Sequence, residues 1–198
     1  ARDMFKGPTG QTTLRSLTGF DWIYFTGITL SVLDQQQRAD LMIALANAQN
    51  AGKKVIFDGN YRPQSWPDLT TAQNAFNAAL STSDIALVTF EDEQALHGDR
   101  KPEETLDRLR QAGVVEGAIK LDHKGCLIFD EAGETLVAVE KVIERPVDTT
   151  SAGDSFNAGY LAARMTGHDP VEAGRAGNAL AGVVIQYRGA IIPAEAMP

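Results

Sequence analysis

Asp21-Trp22-Ile23-Tyr24-Phe25 and Lys54-Val55-Ile56-Phe57-Asp58 are two short runs rich in aromatic and β-branched residues, and what lies between them decides the fold. The first run stops at Thr26-Gly27, as a buried strand does. Asp34 then offers an N-cap, Leu41, Met42, Leu45 and Ala48 recur on one face at helical spacing, and Gly52 is placed to end the helix. A strand, a helix and a second strand in that order predict two parallel strands joined by a helical crossover.

The alternation continues outward. Pro63 and Pro67 make a loop, Asp68 opens an Ala-rich helix to about Leu80, and Ile85-Ala86-Leu87-Val88 reads as a third strand. Glu91 to Leu96 and Pro102 to Ala112 read as short helices separated by His97-Gly98, and Gly117 to Lys120 as a fourth strand. Such alternation predicts an α/β fold, a mostly parallel sheet with helices on both faces. From Gly125 the pattern changes: Cys126 to Phe129 and Thr135 to Val139 flank Asp130 to Glu134, a hairpin signal. A last strand ending at Val147 and a glycine-rich turn lead to helices over about Gly153 to Thr166 and Pro170 to Tyr187, the second capped by Asp169. No linker divides residues 1–198, which read as a single domain.

Composition agrees and excludes several functions. Of 198 residues, 43% are hydrophobic and 22% charged, enough apolar material for a core. Eighteen Lys and Arg against 26 Asp and Glu leave a net charge of −8, so no basic stripe is available and nucleic acid is not expected as a partner. The longest uncharged stretch, Ala176 to Tyr187, is too short and glycine-rich to span a bilayer, so no membrane partner is expected either. Cys126 lies in an apolar run without a cysteine partner and reads as a small buried hydrophobe, which suits a reducing cytoplasm. His97, His123 and His168 share no metal-ligand spacing and read as surface histidines. The opening Ala1-Arg2-Asp3-Met4-Phe5 has no initiator methionine and no signal-peptide core, and it reads as the middle of a longer chain.

In open α/β sheets ligands gather outside the carboxyl ends of the strands, here the loops after Asp58, Val88, Lys120 and Val147. The richest is Asp148-Thr149-Thr150-Ser151-Ala152-Gly153-Asp154-Ser155-Phe156-Asn157-Ala158-Gly159, a small-residue turn feeding a helix. Unpaired amides at a helix start make an anion site, usually for phosphate. Asp154 is unnecessary for that. It is either an acid favoured by the helix dipole, worth roughly 0.3–1 kcal/mol, or a general base taking the proton of a hydroxyl that attacks a γ-phosphate. Arg62 offers a fork of donors suited to phosphate or carboxylate, with Asn60 beside it; a surface ion pair and an Asx turn explain the same two residues.

The Asp148 to Gly159 run resembles the signature of the ribokinase-like carbohydrate kinases, the PfkB family, whose pattern Asp-Thr-x-x-Ala-Gly-Asp-x-Phe-x-Ala-Gly it matches at every specified position. That resemblance implies a three-layer α/β/α ribokinase-like fold, Asp154 as catalytic base and substrate contact, and the amides of Ser151, Ala152, Gly153 and Asp154 as an anion hole. Ser151 stands where many members have glycine. Phe57-Asp58-Gly59-Asn60-Tyr61-Arg62-Pro63, with Trp66, and the ending Val184 to Pro193 are similar to the 2-keto-3-deoxygluconate kinases within that family. This implies ATP-dependent phosphorylation of a sugar acid at its 6-hydroxyl, with Arg62 binding substrate and Asn60 near the nucleotide. The alternatives are another sugar kinase such as a fructokinase, or a non-catalytic nucleotide-binding fragment.

By the same resemblance Lys120-Leu121-Asp122-His123-Lys124-Gly125 is the loop beside ATP, contributing Lys120 and Gly125, and Asn178 lies near the nucleotide or is simply an exposed polar residue. Mg2+ is implied with ATP. Thr89 and Asp92 occupy the spacing of the family's Asn-x-x-Glu, so Asp92 is the candidate metal carboxylate, or one of several acids capping a helix. Family members begin with a strand, a glycine-rich substrate loop and a small β lid, which nothing here resembles. The lid and leading strand are therefore expected to be missing, the 198 residues alone to have little kinase activity, and an exposed edge near Trp22 to Phe25 to favour a homo-oligomer.

Overall fold

The structure is a computed structural model that describes residues 5–197; the reading of Ala1 to Met4 falls outside them. The chain packs as two compact units, residues 1–115 and 116–198.

The first unit holds three parallel strands, β1 (Trp22–Thr26), β2 (Lys54–Asp58) and β3 (Ile85–Thr89), with β2 in the middle. The register sets Phe25 beside Phe57 and Asp58 beside Leu87. The crossover expected between β1 and β2 is α3 (Gln35–Asn50), opened by a reciprocal capping box between Asp34 and Gln37 and followed by Gly52 at φ +77°. Its Leu41, Leu45 and Ala48 are buried as the spacing requires, while Met42 is only half-buried. Helix α4 (Leu69–Leu80) begins where Asp68 predicts and buries Phe76. That ring anchors an aromatic cluster: Phe57, Tyr61 and Trp66 pack against it edge-on at 5.3, 5.8 and 5.9 Å between centroids. Helices α5 (Phe90–His97) and α6 (Pro102–Gln111) follow, split at Gly98, which takes the left-handed conformation. Two helices carry no clear signal in the sequence, α1 (Gly7–Ser16) and α2 (Gly27–Ser31). Gly, Pro and Thr dominate them, residues of low helix propensity, and α2 is barely one turn.

The second unit holds an antiparallel triple, β4 (Glu116–Lys120), β5 (Cys126–Asp130) and β6 (Gly133–Val137), the last two forming the expected hairpin. Helices α7 (Ala152–Met165) and α8 (Pro170–Val184) cover it. The two helices approach so closely that a Cβ on Gly159 would lie 2.7 Å from the Ala176 carbonyl oxygen. The strand expected to end at Val147 is not formed. Val142 and Val147 are exposed, Pro146 has no amide to give a ladder, and the Val147 and Asp148 amides both donate to the Ile185 carbonyl, at 2.8 and 3.3 Å. Cys126 is fully buried, and burial pushes its thiol up to about 12. Among the described residues no helix is long and apolar enough to cross a membrane.

Candidate active site

The start of α7 is built by the irregular turn before it. Asp148 Oδ1 accepts the Thr150 amide at 2.8 Å and Oδ2 the Gly189 amide at 2.9 Å, tying the segment after α8 to the turn. Hydrogen bonds from Thr150, side chain and backbone, and then from the Gly189 amide pull the Asp148 carboxyl down to about 2. Ser151, the N-cap, lies at φ +62°, and its side chain accepts no capping hydrogen bond. This explains why glycine is common at that place in the signature: the backbone is left-handed there.

Of the expected anion-hole amides, Ala152 is already committed to the Thr149 carbonyl at 3.2 Å. Gly153 and Asp154 remain as the second and third residues of the helix, where amides have no partner inside it. Against them stands a cation. Lys120, the last residue of β4, is buried, and its Nζ is 3.7 Å from where a Cβ on Gly153 would sit. Lys120 Nζ donates to Oδ1 of Asn157 at 3.0 Å, and Asn157 is itself 2% exposed. Helix start, two amides and an ammonium group together favour a negatively charged oxygen at Gly153. Asp154 is exposed in the same helical turn. Asn157 was not singled out from the sequence, although it stands three residues after Asp154, one helical turn on, inside the signature itself.

The other two expected nucleotide residues converge on one carbonyl. Gly125 lies at φ +98° with its Cα so close to β6 that a Cβ would fall 2.1 Å from the Val137 oxygen, and Asn178 Nδ2 donates to that same oxygen at 3.0 Å. Between Lys120 and Gly125 the chain makes one 3-10 turn, with Asp122 at φ +53° paired to His123 at 2.7 Å.

In the first unit the loop after β2 carries Asn60, at φ +41°, then Tyr61 and Arg62. Arg62 Nη1 donates to the Tyr61 carbonyl at 2.7 Å and lies 3.5 Å from Asp92 Oδ1, while Asp92 Oδ2 accepts the Tyr61 amide at 3.2 Å. Asp92 thus spends both oxygens on the loop. That is a poor fit to a dedicated metal ligand, and among the described residues no three His, Cys, Asp or Glu gather as a metal site.

Beneath this loop lies a buried polar cluster that composition did not reveal. Arg108 Nη2 donates to Glu93 at 2.7 Å, and Nη1 donates to Asp99 at 2.7 Å. Burial pushes the Glu93 carboxyl up to about 7 in spite of Arg108. At Asp99 burial acts in the same sense but is outweighed by hydrogen bonds from Arg108 and Thr105, which hold it below the usual carboxylate range. His97 is not the surface histidine expected. Its side chain is 10% exposed, and burial together with Arg108 drives it down to about 4. The position of Glu93 was legible in principle, since it stands three residues before the buried Leu96 on one face of α5.

Comparisons with known proteins give this geometry its context. The pfkB family carbohydrate kinase model matches residues 8–197. The chain is 43% identical over 201 residues to the 2-dehydro-3-deoxygluconokinase of Dickeya dadantii, covering 100% of this chain and 64% of that protein. With the 2-dehydro-3-deoxygluconokinase of Escherichia coli K12 it shares 45% identity over 185 residues, 92% of this chain and 60% of the relative. The chain therefore spans 60–64% of the length of these curated relatives. Among solved structures, aminoimidazole riboside kinase from Salmonella enterica, complexed with aminoimidazole riboside and an ATP analog, superposes with a TM-score of 0.76 at 26% identity, covering 89% of this chain and 59% of that one. The expected ribokinase-like α/β fold is the one adopted.

Proposed function

The chain belongs to the pfkB family of carbohydrate kinases, and on that premise we propose that the protein carrying it transfers the γ-phosphoryl group of ATP to the 6-hydroxyl of 2-keto-3-deoxygluconate. The observation that carries the reading is the start of α7, where the buried Lys120 ammonium comes up to Gly153 in the first helical turn, beside an exposed Asp154. Identity above 40% to two 2-dehydro-3-deoxygluconokinases supports the choice of substrate.

The chemistry follows from these groups. Asp154 takes the proton of the 6-hydroxyl as its oxygen attacks the γ-phosphorus, and ADP leaves with the electron pair of the broken P–O bond. Negative charge spread over the phosphoryl oxygens meets the two amides and Lys120, fixed dipoles and a cation that need no reorganisation. Asn157 holds Lys120 in place. Arg62 binds an oxyanion of the substrate or the transferring phosphate, Asn60 lies near the nucleotide, and Gly125 and Asn178 shape the loop beside it. Mg2+, when bound with ATP, would offset the charge of its phosphates.

The test is a coupled assay of the full-length protein with ATP and either 2-keto-3-deoxygluconate or D-fructose. ADP formation with the sugar acid, and a product phosphorylated on the 6-hydroxyl, is the expected result. Preference for fructose would reassign the substrate, and ATP binding without transfer to any sugar would make this a nucleotide-binding protein only.

A further inference from the structure

We infer that Asp92 is a positioning residue: it sets the Arg62 guanidinium so that its Nε–Nη2 edge is presented to an oxyanion of a reactant. The inference rests on the proposed role of Arg62. The backbone of the loop is already fixed, because Tyr61 is buried against Phe76, Trp66 packs on the same ring, and Pro63 follows Arg62 directly. Its floor is Glu93, whose Oε1 stands 3.5 Å from where a Cβ on Gly59 would lie.

What remains free in such a loop is the long side chain of Arg62, 52% exposed, which in water would sample many rotamers. Two contacts stop it. The Tyr61 carbonyl and Asp92 Oδ1 both engage Nη1, and no other one of its nitrogens has a partner among the described residues. Nε and Nη2 donate in parallel from one edge, the geometry in which a guanidinium takes a carboxylate or phosphate through two hydrogen bonds. Asp92 itself is held by the Tyr61 amide, so the carboxylate cannot swing with the arginine. Asp92 is 22% exposed and stands in the first turn of α5, a rigid element rather than a second loop. An arginine pre-ordered by an acid on one nitrogen gives up less rotamer freedom on binding, and this appears in affinity rather than in the chemical step.

The experiment is a double-mutant cycle on the full-length protein with Arg62→Ala, Asp92→Ala and the pair, measuring KM for the sugar acid, KM for ATP and kcat. Asp92→Ala should raise one KM about tenfold, with kcat within a factor of about three, and should add nothing on the Arg62→Ala background. Which KM moves tells whether the oxyanion belongs to the sugar acid or to ATP. Asp92→Asn, which keeps an oxygen for the Tyr61 amide, should raise the same KM at wild-type thermal stability. An unchanged KM in both Asp92 variants, an equal effect with and without Arg62, or a shift in the Mg2+ requirement in place of KM would overturn the inference. If Arg62→Ala itself leaves every constant at wild type, the role of Arg62 is lost first and the inference falls with it.

Discussion

Lys120 stands where one side chain serves both the architecture and the chemistry. Its stem is buried at the end of β4, its ammonium is satisfied by Asn157, and the same group faces Gly153. On the proposed function, the same ammonium also faces the negative charge of the transferring phosphoryl group. Lys120→Met keeps the volume and removes the charge. Loss of a charged hydrogen bond is worth about 1.5–3 kcal/mol, so ATP should bind roughly 10- to 100-fold more weakly. Isothermal titration with ATP checks this, and unchanged affinity would place the nucleotide elsewhere. The places of Lys120 at a strand end and of Gly153 and Asp154 at a helix start were legible in the sequence, because both elements carry local signals. The pairing of Asp92 with the Tyr61 amide was not, because 31 residues separate them and only tertiary packing brings them together.

At the scale of elements, α5 and α6 are joined by charge rather than by apolar contact alone. Arg108 on α6 serves two acids, Asp99 before its own helix and Glu93 on α5, and their shifts run in opposite directions because one cation cannot offset two buried carboxylates. Arg108→Met should cost about 3 kcal/mol or more, since it strands buried acids, while Glu93→Gln should cost far less.

The pH dependence follows from the same groups. Glu93 is raised from 4.5 to about 7, so the stability it contributes is present at pH 4.5 and lost as pH rises toward 7. His97 is lowered from 6.5 to about 4, so its contribution is present above 6.5 and lost as pH falls toward 4. Between pH 4.5 and 6.5 the two slopes oppose and nearly cancel. Urea unfolding of the full-length protein at pH 6 and pH 8 should show the wild type losing stability relative to Glu93→Gln, by on the order of 1 kcal/mol. A constant difference between the two would mean Glu93 is ionised throughout.

The strands and the longer helices of both units were legible because their signals are local: Asp34, Asp68 and Asp169 each cap the helix they were expected to cap. The strand expected before Asp148 failed for the opposite reason. It holds β-branched residues, but a strand exists only with a partner, and the Val147 and Asp148 amides bond to the Ile185 carbonyl just after α8 instead.

For the whole molecule, the proposed reaction turns on one carboxylate, that of Asp154. Everything else at the start of α7 would serve a protein that only binds nucleotide: the amides, the ammonium group and the small residues hold an anion whether or not it moves. Asp154 alone has no part in that, since a negative charge in the first helical turn works against a phosphate. On the proposed function, its place there is explained by the proton of an attacking hydroxyl. The most direct measurement is therefore the turnover of the full-length Asp154→Asn protein with ATP and 2-keto-3-deoxygluconate, beside its affinity for ATP. Turnover should fall by roughly a hundredfold or more, the scale of a lost general base, with the fold intact and ATP binding retained. Turnover close to that of the wild type would contradict the proposed role of Asp154.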